Sequence, residues 1–192
     1  MGAATGPRSR MTDPSPRSAE PTTADLDARR AARRYPDRPI VAVLAVVLRG
    51  EEALIVQRAQ QPNAGRWGFP GGVLELGETV AEGAMRELFE ETGILAKPAG
   101  ILDVHDAITR DADARVQFHY LLIAVRGIWQ SGEGEPADDA AACAWVTRDE
   151  IVAGRYPTFP TLLPLLDRAM NAADGAGTSI PSQRRDGGGA AE

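Results

Sequence analysis

Nine consecutive apolar residues, IVAVLAVVL (Ile40–Leu48), make the longest hydrophobic run in the chain. Most are β-branched, and the run has strand length, so it predicts a strand buried on both faces. Arg49-Gly50 ends it, and EALIVQR (Glu52–Arg58) follows as an expected hairpin partner. QPNAGRW is a turn cluster. TVAEGAMRELFEET (Thr79–Thr92) repeats its apolar positions at helical spacing, with Gly93 placed as a C-cap. AGILDVHDAIT and RVQFHYLLIAV predict two strands joined by the turn RDADA, and WQSGEGEPADDAA predicts a long acidic loop. CAWVT reads as a short strand, and RDEIVAG and TLLPLLDRAMNAA as closing helices. Strands on both sides of a central helix, with a helix at the end, imply an α/β layered sandwich with a mixed sheet.

The termini lack this patterning. Residues 1–34 are rich in Pro, Ser and Arg and offer little to bury, so they are expected to be a disordered tail. A short helix with Arg29, Arg30, Arg33 and Arg34 on a solvated face is allowed before Pro36, and Met11 is an alternative start. Asp13, Glu20, Asp25 and Asp27 count against a transit peptide. Residues 174–192 are tail-like again, which leaves 35–173 as one domain.

Composition narrows the function. The 192 residues are 43% apolar and 25% charged, enough for one core. A net charge of −6 argues against nucleic acid as a partner, because duplex binding draws on a basic face. It suits a protein that handles anionic small molecules through a bridging cation. Cys143 is the single cysteine, so no internal disulfide can form. No run approaches the roughly 20 apolar residues of a membrane span, and no apolar segment of secretory type follows the first arginines. A cytoplasmic protein without membrane contact is the expectation.

The predicted helix carries an unusual charge pattern. On a helical wheel Ala81, Met85, Leu88, Phe89 and Thr92 gather on one side, while Glu87, Glu90 and Glu91 fan over about 100° of the rest. An ordinary amphipathic helix would show those acids to water. Yet Glu87 and Glu91 repel at i,i+4, and acids in a last turn oppose the helix dipole. A bound divalent cation reverses both penalties. The preceding GFPGG lets a backbone carbonyl approach a metal unobstructed. Three carboxylates and a carbonyl make a hard oxygen site suited to Mg²⁺ or Mn²⁺. Arg86 stands four positions before Glu90 and can steady it, with Glu78 on the other side of the guanidinium fork.

Gly72, Glu78, Arg86, Glu87, Leu88, Glu90, Glu91, Gly93 and Ile94 fill every position of a pattern that resembles the Nudix box. That box is a Gly, five residues, Glu, seven residues, then Arg-Glu-aliphatic-any-Glu-Glu-any-Gly-aliphatic. The resemblance covers roughly Pro39 to Met170. It implies an α/β/α sandwich with a loop–helix–loop catalytic motif, and Mg²⁺-dependent hydrolysis of a nucleoside diphosphate linked to another moiety. Glu87, Glu90, Glu91 and the Gly72 carbonyl would be metal ligands, and Arg86 and Glu78 would orient them. Glu87 or Glu91 would accept a proton from the attacking water. Family members often recruit one more acid from a later loop. Of Glu133, Glu135, Asp138 and Asp139, Asp139 is preferred as the nearest to the following strand.

Across its core the chain looks most like the small ADP-ribose pyrophosphatase group, which implies ADP-ribose going to AMP and ribose 5-phosphate, and in which homodimers occur. A proline well downstream of the box that marks some of these enzymes has no counterpart, since Pro98 comes too soon. Two rival readings are a house-cleaning hydrolase of nucleoside triphosphates and a sensor that binds nucleotide without cleaving it. The intact acids and the lack of a basic helix-turn-helix count against the sensor. Arg58 and Arg66 are candidates for phosphate contacts. Phe69, Phe118, Tyr120 and Trp129 are read as packing residues before base-stacking ones, His105 and His119 as structural, and Cys143 as inert.

Overall fold

A computed structural model describes residues 31–61 and 63–173. The expected tails, apart from Ala31–Arg34, lie outside the described residues, as do Met11, Arg29 and Arg30. Ala31–Arg34 form a turn closed by the Arg34 N–H and the Ala31 carbonyl. They belong to a separate unit from the one that begins at Tyr35.

The described residues of the second unit contain seven strands: β1 (Ile40–Arg49), β2 (Glu52–Arg58), β3 (Trp67–Gly68), β4 (Gly71–Val73), β5 (Leu95–Arg110), β6 (Val116–Ser131) and β7 (Ala140–Thr147). Its helices are α1 (Val80–Thr92), α2 (Arg148–Val152) and α3 (Leu162–Ala173). All seven strands join one mixed sheet, in which β3, β2, β1, β6 and β5 lie side by side. β1 pairs in parallel with β6, from Ile40 opposite Tyr120 to Leu48 opposite Ile128. The other pairings are antiparallel, including β4 on β1 and β7 on β2.

β1 is apolar throughout because it serves two cores. Its residues alternate across the sheet, as strand side chains must. Val43, Ala45 and Val47 pack with Leu54, Val125 and with Ala84 and Leu88 of α1. Val46, with Leu44 and Leu48 packed against it, joins Ile151 of α2 and Leu162, Leu165, Leu166 and Ala169 of α3. The result is a sheet between helical layers, the α/β/α sandwich that the sequence implies. Pro164 sits in the first turn of α3, where its missing N–H breaks no helical bond.

Several local expectations are corrected. β2 follows β1 through a tight turn, but the two pair only at Leu48–Ala53 and Arg49–Glu52. The rest of β2 pairs with β7, from Glu52 opposite Thr147 to Arg58 opposite Ala140. The predicted strands of the 99–125 region extend into a hairpin of two 16-residue strands, so Trp129–Ser131 belong to β6 rather than to the acidic loop. Likewise β7 is longer than CAWVT. On α1, Phe89 is exposed while Glu91 is buried, the reverse of the wheel reading. The buried arc is Gly83, Ala84, Leu88, Glu91 and Thr92. α1 meets the sheet through its small residues, because a side chain at Gly83 would run into Leu74 and Glu78.

Gly71 permits the corresponding approach of β4 to β1, since an added methyl group would overlap the Val43 carbonyl oxygen and crowd Leu44. Gly71→Ala is therefore expected to destabilise the fold by about 1–3 kcal/mol, the usual cost of overpacking, as read from urea unfolding midpoints at unchanged m-value.

Candidate active site

Both ends of α1 are defined by side chains and backbone in the sequence just outside it. Thr79 accepts from the Glu82 N–H, and Glu82 accepts in return from the Thr79 N–H, a reciprocal capping box. At the other end Gly93 takes the left-handed conformation, with φ at 67°, and its N–H donates to the Phe89 carbonyl. No basic residue lies in the last turn to offset the dipole there. The last carbonyls of α1 instead receive amides from the acidic loop. Glu135 N–H donates to Thr92 O (2.9 Å) and Ala137 N–H to Glu91 O (3.0 Å). These bonds satisfy helix-end acceptors that would otherwise need water, and they bring the loop's acids up to the helix.

Arg86 is the hub of the box. Its Nε donates to Glu78 Oε1 (2.6 Å) and its Nη2 to Glu78 Oε2 (3.1 Å). Nη1 donates to both Glu87 Oε1 (2.9 Å) and Glu90 Oε2 (2.8 Å), and Nη2 also reaches the Val73 carbonyl. A two-pronged guanidinium–carboxylate contact fixes orientation as well as charge. Hydrogen bonding to Arg86 is the main reason the Glu78 carboxyl titrates below its ordinary value. The same three carboxylates hold the Arg86 guanidinium firmly protonated.

The carboxylates farther along the helix press on the glycine strand. A side chain at Gly72 would collide with the Glu87 carboxylate, so Glu87 lies directly over that α-carbon. Glu91 Oε2 accepts from the Gly71 N–H (3.0 Å). Burial pushes the Glu87 carboxyl up, with Arg86 opposing and Glu90 and Asp138 adding to the rise. Glu91 is pushed further, to about 8, first by burial and then by the charges of Glu87 and Asp139, against the Gly71 amide and Arg58. Glu91 is only 7% exposed. It is a buried acid among acids, and among the described residues it has no ion pair of its own.

Asp138 and Asp139 occupy the two central positions of a tight turn closed by Ala140 N–H and Ala137 O (3.0 Å). Asp138 takes φ 49°, a left-handed conformation that Asp tolerates better than most residues. Asp139 accepts from Gln60 Nε2 (3.3 Å), and its carbonyl accepts from the Ala59 N–H. The preferred loop acid, Asp139, thus lies close enough to act on Glu91, and Asp138 acts on Glu87. Glu133 instead pairs with Arg49 (2.8 Å).

Arg58 is exposed and near Glu91, and its backbone N–H donates to the Arg66 carbonyl (2.9 Å), closing the loop between them. Arg66 turns its guanidinium to the Thr158 carbonyl (3.2 Å) and lies over the Phe159 ring. Phe69 is in the core, and Phe118 and Tyr120 stack on each other. His119 lies 3.6 Å from Asp106, away from the box. Burial raises the Cys143 thiol, consistent with an inert group.

Among the described residues no three His, Cys, Asp or Glu side chains already converge at liganding distance. Arg86 draws Glu87 and Glu90 to itself, and the Gly71 amide holds Glu91. The donor set nonetheless suits a hard divalent cation. It consists of carboxylate oxygens and glycine backbone, two of its acids are raised by burial and mutual repulsion, and nothing softer than oxygen is at hand. The amide of Gly71, the neighbouring charge of Asp138 and the seating of the loop on the helix end are not visible in the sequence, though the Gly-Gly pair hinted at close approach.

Comparison with known proteins agrees with this geometry. Residues 38–166 match the family described as NUDIX domain. An ADP-ribose pyrophosphatase of Methanocaldococcus jannaschii is 35% identical over 102 residues, 53% of this chain and 58% of that protein. A MutT-like protein of Streptomyces ambofaciens is 32% identical over 142 residues, 74% of this chain and 82% of the relative. Phosphatase NudJ of Escherichia coli K12 is 36% identical over 116 residues, covering 60% of this chain and 72% of its own. Among solved structures, a MutT NUDIX hydrolase from Burkholderia pseudomallei superposes with a TM-score of 0.60 at 28% identity, over 69% of this chain and 98% of that one. A box with every position filled, a sandwich that holds it against a glycine strand, and a family match over two thirds of its length all agree: the chain belongs to the NUDIX family and is a hydrolase.

Proposed function

We propose that this Nudix hydrolase, which acts on nucleoside diphosphate derivatives, cleaves ADP-ribose to AMP and ribose 5-phosphate with Mg²⁺ held at the acidic edge of α1. Glu87, Glu90, Glu91, the Gly72 carbonyl and Asp139 would hold the cation, with Mn²⁺ as a substitute. Bound there, it would neutralise the diphosphate oxygens and make water a better nucleophile. The observation that carries this reading is the packing of Glu87 over the Gly72 α-carbon and of buried Glu91 against the Gly71 amide, where burial and the charges of Glu87 and Asp139 push the Glu91 carboxyl up to about 8.

The chain's own residues divide the work. Arg86, gripped by Glu78, keeps Glu87 and Glu90 from splaying into solvent. Glu87 or Glu91 takes the proton of the attacking water as its oxygen bonds to phosphorus and the anhydride P–O bond breaks, releasing the two phosphate monoesters. Arg58, exposed beside Glu91, is positioned to meet the substrate's phosphates. ADP-ribose as substrate is favoured by the named activity of the Methanocaldococcus jannaschii relative. A second reading, the rival left open by the sequence, is hydrolysis of nucleoside triphosphates. Among the described residues no helix is long and apolar enough to cross a membrane.

Three outcomes are expected. In a panel of ADP-ribose, NADH, diadenosine polyphosphates and oxidised dGTP, ADP-ribose gives the highest kcat/KM, and a triphosphate leading by a wide margin would transfer the assignment to the second reading. Glu91→Gln leaves the fold intact, because glutamine can still accept from Gly71, but lowers kcat by at least roughly 10–100-fold, a loss typical even of residues that only support a metal's ligands. EDTA silences the wild type and Mg²⁺ or Mn²⁺ restores it. Full turnover in chelator, or in Glu91→Gln, would exclude this site.

A further inference from the structure

Two side chains outside the box converge on the acidic loop. The Trp145 indole Nε1 on β7 donates to the Glu133 carbonyl (2.8 Å). Arg49 Nη1, at the end of β1, donates to the Glu133 carboxylate (2.8 Å). The Arg49 guanidinium lies 4.3 Å from the centre of the Trp145 ring, so the two gripping groups also hold each other. One residue earlier, Trp129 Nε1 donates to the Gly132 carbonyl (3.0 Å). The loop therefore leaves β6 with its backbone seized by two indoles and its first acid by a guanidinium.

We propose that Arg49 and Trp145 are positioning residues of the hydrolytic site, which set the loop so that Asp138 and Asp139 stand against Glu87 and Glu91. This rests on the reading of that acidic edge as a cation site. Gly132 and Gly134 take left-handed φ of 101° and 94°, and Asp138 takes 49°. Between the grip and the aspartates, the contacts are the amides of Glu135 and Ala137 on the helix end. The turn that carries Asp138 and Asp139 follows directly on the amides seated on the helix end, so fixing the loop at Gly132–Glu133 fixes where that turn begins. Exposed ion pairs add little to global stability. Three side chains from two core strands and a strand end, all directed at Gly132–Glu133, are better explained by loop placement than by stability. Supporting shells of this kind hold a site's first contacts in register.

The test uses the full chain and two variants. Trp145→Phe keeps an aromatic ring beside Arg49 and removes the indole N–H donor, together with part of the ring's packing. Arg49→Gln removes the cation at an accessible strand end, and it serves if the first variant folds poorly. Hydrogen exchange at the Glu135 and Ala137 amides, in metal-free protein, should quicken roughly tenfold in each, about the share of one hydrogen bond. Mn²⁺ binding, measured by the electron paramagnetic resonance signal of the free ion, should weaken by about 10-fold. In an Asp138→Asn/Asp139→Asn background Trp145→Phe should weaken Mn²⁺ no further, since the grip acts through those aspartates. Wild-type exchange and affinity in both variants, or an undiminished effect in the aspartate-free background, would overturn the proposal while leaving the cation site standing. A wild type that holds no Mn²⁺ would remove both.

Discussion

Everything in the site depends on how closely the acidic edge of α1 approaches the Gly71-Gly72 strand. With no side chain at either glycine, Glu87 can rest over the Gly72 α-carbon and Glu91 can take the Gly71 amide. Gly83 and Ala84 on the helix complete the approach from the other side. The contact that packs α1 on the sheet is therefore the one that concentrates carboxylates in a partly dry space. Arg86 supplies a single positive charge to Glu78, Glu87 and Glu90, and it reaches none of the charge on Glu91. The imbalance is local and structural, and in the proposed function a hard cation resolves it.

The acidic loop adds to the imbalance in a way a merely stable fold would avoid. Helix-end carbonyls at Glu91 and Thr92 could have been capped by water or by a lysine. They are capped by the amides of Ala137 and Glu135, which carry two aspartates with them. Local interactions and the global electrostatics disagree here, and such disagreement is expected where a protein gives up stability for chemistry. The grip of Arg49 and Trp145 on Glu133 belongs to the same balance, as a restraint on the segment that carries those aspartates.

Much of this was legible in the sequence, and the misses have definite causes. The β-branched run of β1 announced a strand with two buried faces, and it became the partition between the two cores. The helical spacing of Thr79–Thr92 identified the helix and its cap down to Gly93. The wheel failed for Phe89 because it assumed that the largest apolar side chains face the core. The buried arc runs through Gly83, Ala84, Leu88, Glu91 and Thr92, and it leaves Phe89 exposed at its side. β2 was read as a hairpin partner of β1 from its proximity, but its main partner is β7, far along the chain, which no local pattern encodes. Asp139 was reachable by position alone. Asp138 was not singled out, because its closeness to Glu87 depends on a left-handed turn and on amides that bind another element.

The central claim is that Glu91 is buried as an acid awaiting a cation, and the stability of the metal-free protein against pH measures it directly. Its carboxyl titrates near 8 in the fold against an ordinary 4.5, so between those values the native state keeps a proton that the unfolded chain has released. Stability from this group is complete below pH 4.5 and is lost as pH rises through about 8. In EDTA the wild type should lose melting temperature across that window relative to Glu91→Gln, and Mg²⁺ at pH 8 should restore it in the wild type by binding only the folded form. Parallel pH profiles for the two proteins, with no response to Mg²⁺, would contradict the account.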